Sequence, residues 1–170
     1  MAEGTSIQKK GKFSLIELLM IIMLVGIVFT LIIPLRNDRL NKEKLKEAIK
    51  NVQIIARADV IFKNDPEKGD GTYMFEHTVV KYIEPAKDES NNILPAKETG
   101  ADLLNIKDKL EKSGDFFMFD YFVTDSTIVA TTNKIFGKTG ASVYYYLPTG
   151  PWGVNKDKVS EAVIDPNWLP

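Results

Sequence analysis

The chain opens polar, turns apolar without interruption and then becomes amphipathic. Residues 1–12 are polar and basic, with Lys9, Lys10 and Lys12 at their end. Phe13 to Ile33 reads FSLIELLMIIMLVGIVFTLII, 21 residues whose single ionisable side chain is Glu17. A helix of that length crosses a hydrocarbon core of about 30 Å. Farther on, Leu45, Ala48, Ile49, Val52, Ile55, Ala56, Ile61 and Phe62 recur at three-and-four spacing. That is one apolar stripe on an otherwise charged helix. Gly26 and Pro34 are the weak points. Glycine in a helix interior costs about 1 kcal/mol relative to alanine, and an interior proline deletes a backbone hydrogen bond and tends to kink the helix. Pro34 is either a kink or the helix end. The stripe beyond it favours continuation to Lys63-Asn64-Asp65-Pro66, before the turn at Gly69-Asp70-Gly71. The prediction is one helix of about 50 residues, roughly 75 Å long. Its first half is oily all round; only its second half can pack on a globular head.

The remainder is punctuated for strands. Thr72–Tyr82 is rich in β-formers and reads as a strand, with a helix as the alternative. Residues 84–99 are polar, hold Pro85, Pro95 and Asn91-Asn92, and read as a long surface loop. Leu103, Ile106 and Leu110 suggest a short helix ending at Ser113-Gly114-Asp115. Phe116–Thr124, Ser126–Thr132 and Ala141–Leu147 are short, aromatic or β-branched, and bounded by Asp125, Gly137, Gly140 and Pro148-Thr149-Gly150. Consecutive strands at this spacing favour an antiparallel meander. Pro151–Pro170 reads as irregular, with Val159–Ile164 as an edge strand. The expected fold class is α+β: a long N-terminal helix and a small antiparallel sheet.

Charge and composition narrow the classes. The part after the apolar run, Leu35–Pro170, has 136 residues, enough for one small domain with its own core. A net charge of −1 gives no broad basic field for nucleic acid. No cysteine is present, which excludes disulfides, thiolate metal sites, cysteine nucleophiles and a lipidated cysteine anchor. A secretory signal has a shorter apolar core and a small-residue exit. Phe29-Thr30-Leu31-Ile32-Ile33-Pro34 offers no such exit, so the segment reads as retained. Basic residues flank both sides of the run, with Arg36, Arg39, Lys42, Lys44, Lys46 and Lys50 after it. Long domains translocate largely regardless of charge, so the N-terminus is placed in the cytoplasm.

A charge inside such a run costs roughly 2.5 to 3.5 kcal/mol at mid-depth and less near an end, and intramembrane charges are normally paired. Glu17 therefore either snorkels to the headgroups or meets a partner. The surrounding residues favour the partner. Lys10-Gly11-Lys12-Phe13-Ser14-Leu15-Ile16-Glu17-Leu18-Leu19, with Gly26 and Pro34 downstream, resembles the N-terminus of type IV pilins and type II secretion pseudopilins. The resemblance covers about 30 residues closely. It implies a leader, residues 1–12, removed by a prepilin peptidase on the cytoplasmic face, and N-methylation of Phe13. The Phe13–Glu17 and Phe13–Pro34 spacings match a cut before Phe13. Lys12 departs from the small residue that normally precedes the cut, and a cut after Gly11 is the alternative. The resemblance further implies an assembly helix at 13–34 and an amphipathic helix with its β-rich head at 35–170. It pairs Glu17 with the new amine of a neighbouring subunit, and gives Gly26 to Pro34 a helix that melts on assembly. The implied function is structural: a homo-oligomeric helical filament outside the cytoplasmic membrane, without enzymatic activity or cofactor. The implied partners are the peptidase, an inner-membrane platform protein and a cytoplasmic assembly ATPase. A pseudopilin or minor pilin is the nearest alternative; a single-span anchored enzyme or binding domain is the rival from another class.

Other candidates carry less. His77 is the only histidine and no nucleophile motif accompanies it. Residues 65–71 are acidic and Gly-bearing but fail EF-hand spacing. Asp157, Glu161 and Asp165 imitate the calcium loop of some pseudopilins, and read equally as a solvated acidic face. Tyr144, Tyr145 and Tyr146 with Trp152 suggest packing, or else a contact surface, with Tyr145 facing away from its neighbours.

Overall fold

The computed structural model describes residues 14–82 and 100–170. The elements are α1 (Leu15–Asn64), β1 (His77–Val80), α2 (Gly100–Leu103), β2 (Phe119–Val123), β3 (Thr127–Thr132), β4 (Ser142–Tyr146), β5 (Trp152–Val154) and α3 (Lys158–Val163), with a final 3-10 turn at Pro166–Trp168. All five strands form one antiparallel sheet in sequence order. The fold is α+β, as the patterning predicts. By contacts the chain divides into two compact units, Met1–Asp38 and Arg39–Pro170.

In the first unit α1 continues through Pro34 rather than ending there. Pro34 has no N–H to give the Thr30 carbonyl one turn back. The Thr30 hydroxyl meanwhile donates to the Ile27 carbonyl at 2.8 Å, a back-bond that weakens and bends helices. The stretch from Gly26 to Pro34 is helical, with one backbone hydrogen bond missing at Pro34.

In the second unit the amphipathic part of α1 and one face of the sheet share a core. Leu45, Val52 and Ile55 from α1 meet Phe119, Tyr121 and Ile128 from the sheet, all at 1% exposure or less. Ile61 departs from the predicted stripe and is 71% exposed. The buried face ends instead at Ala58 and Asp59. Along the sheet, buried and half-exposed residues alternate, as in β3 from Thr127 to Thr132. β1 is paired through a bulge between Thr78 and Val80, which sets Val79 and Val80 both inward.

Two predicted elements differ. Val159–Ile164 is not an edge strand but α3. Asp157 caps it, accepting the Val159 and Ser160 N–H groups at 2.9 Å, while Val163 and Ile164 are buried. The edge strand is β5, which pairs with β4 through Val143–Val154 and Tyr145–Trp152. The helix expected around Leu103, Ile106 and Leu110 is the single turn α2. Asn105, at φ 54°, stops it, with Ile106 N–H bonded to the Ala101 carbonyl and Asn105 N–H to that of Asp102. That pair of bonds is the Schellman arrangement. Residues 84–99, expected as a loop, lie outside the described residues.

α1 ends against its own return. A Cβ on Gly69 would collide with the Phe62 carbonyl, and would sit 2.7 Å from both Lys63 Cα and the Thr72 carbonyl. These are backbone atoms with nowhere to go. Gly69→Ala should therefore cost about 2 to 3 kcal/mol, read as a lower denaturant midpoint with an unchanged slope.

Candidate functional site

The first turn of α1 is built around Ser14 and Glu17. The Ser14 N–H donates to Glu17 Oε2 at 2.8 Å, and Ser14 Oγ accepts the Ile16 N–H at 3.3 Å. Ser14 is the N-cap and Glu17 stands at N3, so the two satisfy helix donors reciprocally, a capping box. A carboxylate in the first turn also faces the positive end of the helix dipole. The S-x-x-E spacing of Ser14 to Glu17 is the signal that shows this in sequence, and it gives Glu17 a role inside its own chain. Gly11, Lys12 and Phe13 lie outside the described residues.

Beyond that cap the helix presents hydrocarbon on every side. From Leu15 to Leu35 each large apolar side chain is exposed, from 42% at Val28 to 78% at Leu15. Glu17 is the only ionisable group among them. A Cβ on Gly26 would meet nothing within 4 Å, so this glycine does not serve close packing within the chain. The segment is near the N-terminus and is long and apolar enough to cross a bilayer. A surface of this extent on a soluble monomer marks an interaction site.

The head holds polar groups that the apolar stripe conceals. Asn51 is fully buried. Its Nδ2 donates to the Glu111 carbonyl at 2.8 Å and to Tyr121 Oη at 3.0 Å, and its Oδ1 accepts the Glu111 N–H at 2.7 Å. Burial pushes the Tyr121 phenol up, against the opposing Asn51 hydrogen bond. Glu47 is buried too and accepts the Met118 N–H at 2.9 Å. Burial raises its carboxyl, with weaker opposition from Met118. These contacts tie α1 to the segment entering β2. They occupy the same helix face as Leu45 and Val52, so only their small size or polarity breaks the stripe.

The remaining sequence candidates are dispersed. His77 is half-buried beside Gly100, where a Cβ would come 3.1 Å from its ring. Asp157 caps α3, and its Oδ2 accepts the Ser160 hydroxyl at 2.6 Å. Asp165 caps the last turn through the Asn167 N–H at 2.9 Å, while Glu161 is exposed. Among the described residues no cluster of three His, Asp or Glu side chains is arranged to hold a metal ion. Tyr145 packs against Trp152 with ring centroids 4.8 Å apart. Tyr144 and Tyr146 pack edge to face on the other side of β4, at 5.5 Å. Tyr144 lies over Gly153, where any side chain would strike its ring.

The class these features define is an α+β head continuous with one exposed, apolar, bilayer-length helix that carries a single carboxylate near its start. No protein family, no curated protein and no solved structure matches the chain.

Proposed function

We propose that this chain is a type IV pilin-like subunit, held in the cytoplasmic membrane by α1 and polymerising through the same helix into a filament outside it. The observation that carries the reading is Glu17, one carboxylate four residues past Phe13 on a helix whose apolar segment from Leu15 to Leu35 is uncovered. In the membrane the Ser14 cap and the shallow position of Glu17 limit its cost. In a fibre, the apolar helices of many copies bury one another. There Glu17 needs a counter-charge, because an unpaired buried charge costs roughly 3 to 5 kcal/mol. Leader removal before Phe13 creates an amine that a neighbouring subunit presents to it. Correct axial register is then the register that pairs the charges. Contacts of this kind are head-to-tail and do not close, which is what a helical fibre requires.

The weakened stretch from Gly26 to Pro34 is where α1 gives way as subunits pack. Processing falls to a prepilin peptidase, and extraction from the membrane to a platform protein driven by an assembly ATPase. The polymer is structural and the chain performs no chemistry of its own. The test is electron microscopy of material sheared from the native cell surface, with antibody to the head. Labelled filaments support the reading; label confined to membranes contradicts it.

A further inference from the structure

Asp59 lies on the buried face of α1 with no exposed surface. Its Oδ1 accepts the Met74 N–H at 2.8 Å. Its Oδ2 is buried and has no hydrogen-bonding partner. A buried carboxylate normally has its lone pairs met or its charge paired. The cation one turn away on α1 is Lys63, but its ammonium sits over the Tyr73 ring, 4.0 Å from the centroid, and forms no ion pair with Asp59. Burial accordingly pushes the Asp59 carboxyl up to about 6, against the Met74 hydrogen bond and the Lys63 charge.

What Asp59 holds is the return of the chain from α1 to the sheet. Along that return Gly69 is wedged against the helix end, Gly71 N–H bonds the Lys63 carbonyl at 2.9 Å, and Tyr73 lies under Lys63. Met74 is 4% exposed, and the next residue, Phe75, is 62% exposed. Among the described residues, Lys63 is the one charge that bears on Asp59. Asp65 faces Lys68 at 3.8 Å. Glu67, Asp70 and Glu76 are exposed. Asp125, at the β2–β3 turn, shares a surface cleft with residues 71–73 and Phe75 and is exposed as well.

We propose that Asp59 and the Met74 amide form a proton-operated latch, closed on α1 when the carboxyl is protonated and loosened when it ionises, so that Met74 comes free. The proton leaves to solvent and no bond other than the hydrogen bond changes. The direction follows from linkage. The closed state holds the proton more tightly than the open one, so closure is most favoured in acid. It weakens as pH rises from about 4 to about 6, then levels off. With the carboxyl at about 6 closed and 3.8 open, the closed-to-open ratio falls about tenfold between pH 5 and pH 7.5.

The test is hydrogen exchange of the Met74 amide in the full-length chain in detergent micelles, corrected for the intrinsic rate at each pH. Protection about tenfold lower at pH 7.5 than at pH 5, with the Val79 amide unchanged, is the expected result. Asp59→Asn should abolish the difference. Should that variant fail to fold, Lys63→Met serves instead: without the cation that favours the charged form, the transition should move to higher pH. Equal Met74 protection at both pH values in the native chain overturns the latch. So does a fall that persists in Asp59→Asn, or a midpoint that Lys63→Met leaves in place.

Discussion

Glu17→Ala should leave the chain inserted in the membrane and reduce filament yield by tenfold or more. Removing one charge from a run of apolar residues makes insertion easier, so a failure to reach the membrane is not expected. On the proposed filament reading, the variant loses the counter-charge for a neighbour's N-terminal amine. That amine is then buried and unpaired in the assembled state, at roughly 3 to 5 kcal/mol per contact. Alanine also removes the acceptor for the Ser14 N–H, a capping effect of only about 1 kcal/mol. Glu17→Gln separates the two. Glutamine at N3 keeps the capping box and discards the charge. Filament yield should fall in both variants if pairing between subunits decides assembly. Normal yield from Glu17→Gln, with loss only in Glu17→Ala, would assign Glu17 to its own helix cap and remove it from assembly.

The largest effect on stability should come from Asn51. Asn51→Ala withdraws three hydrogen bonds at once and leaves behind the Glu111 N–H, the Glu111 carbonyl and the Tyr121 hydroxyl. A buried polar group left without a partner costs about 1 to 3 kcal/mol, so a loss of about 3 to 5 kcal/mol is expected if water reaches one of the three. The nearby pair of Lys50 and Glu111 offers the contrast. Its charges are 3.0 Å apart, yet both side chains are about half exposed. Lys50→Met should therefore cost less than about 1 kcal/mol. Denaturant unfolding followed by near-ultraviolet circular dichroism orders the two variants. Equal midpoints would show that the Asn51 clamp carries no special weight.

The long helix and the three central strands are legible in sequence because each is a strong periodic signal. The stripe from Leu45 to Ala56 has the helical period, and β2, β3 and β4 are aromatic or β-branched runs between turn residues. The errors fall where a short polar side chain outweighs periodicity. Val159–Ile164 has strand-like composition, but the Asp157 cap and the burial of Val163 and Ile164 make it helical. Leu103, Ile106 and Leu110 have helical spacing, but Asn105 adopts a left-handed conformation and breaks the turn. Ile61 continues the stripe on paper, whereas the chain reverses below it and buries Asp59 instead. Glu47, Asn51 and Asp59 were hidden for a common reason. Sequence patterning sorts apolar from polar, and it has no way to mark a polar residue whose partner is a backbone group some 15 to 71 positions away. At the candidate site, the residue types were legible and the Ser14–Glu17 cap was present as a spacing. Gly11, Lys12 and Phe13 rest on sequence alone.

Mass spectrometry of the subunit's N-terminus, taken from its native host, tests the central claim most directly. A chain beginning at N-methylated Phe13 is predicted, since only that cut sets a free amine four residues from Glu17 and gives the neighbour its partner. A chain that still begins at Met1, recovered as membrane-bound monomer, would contradict the account.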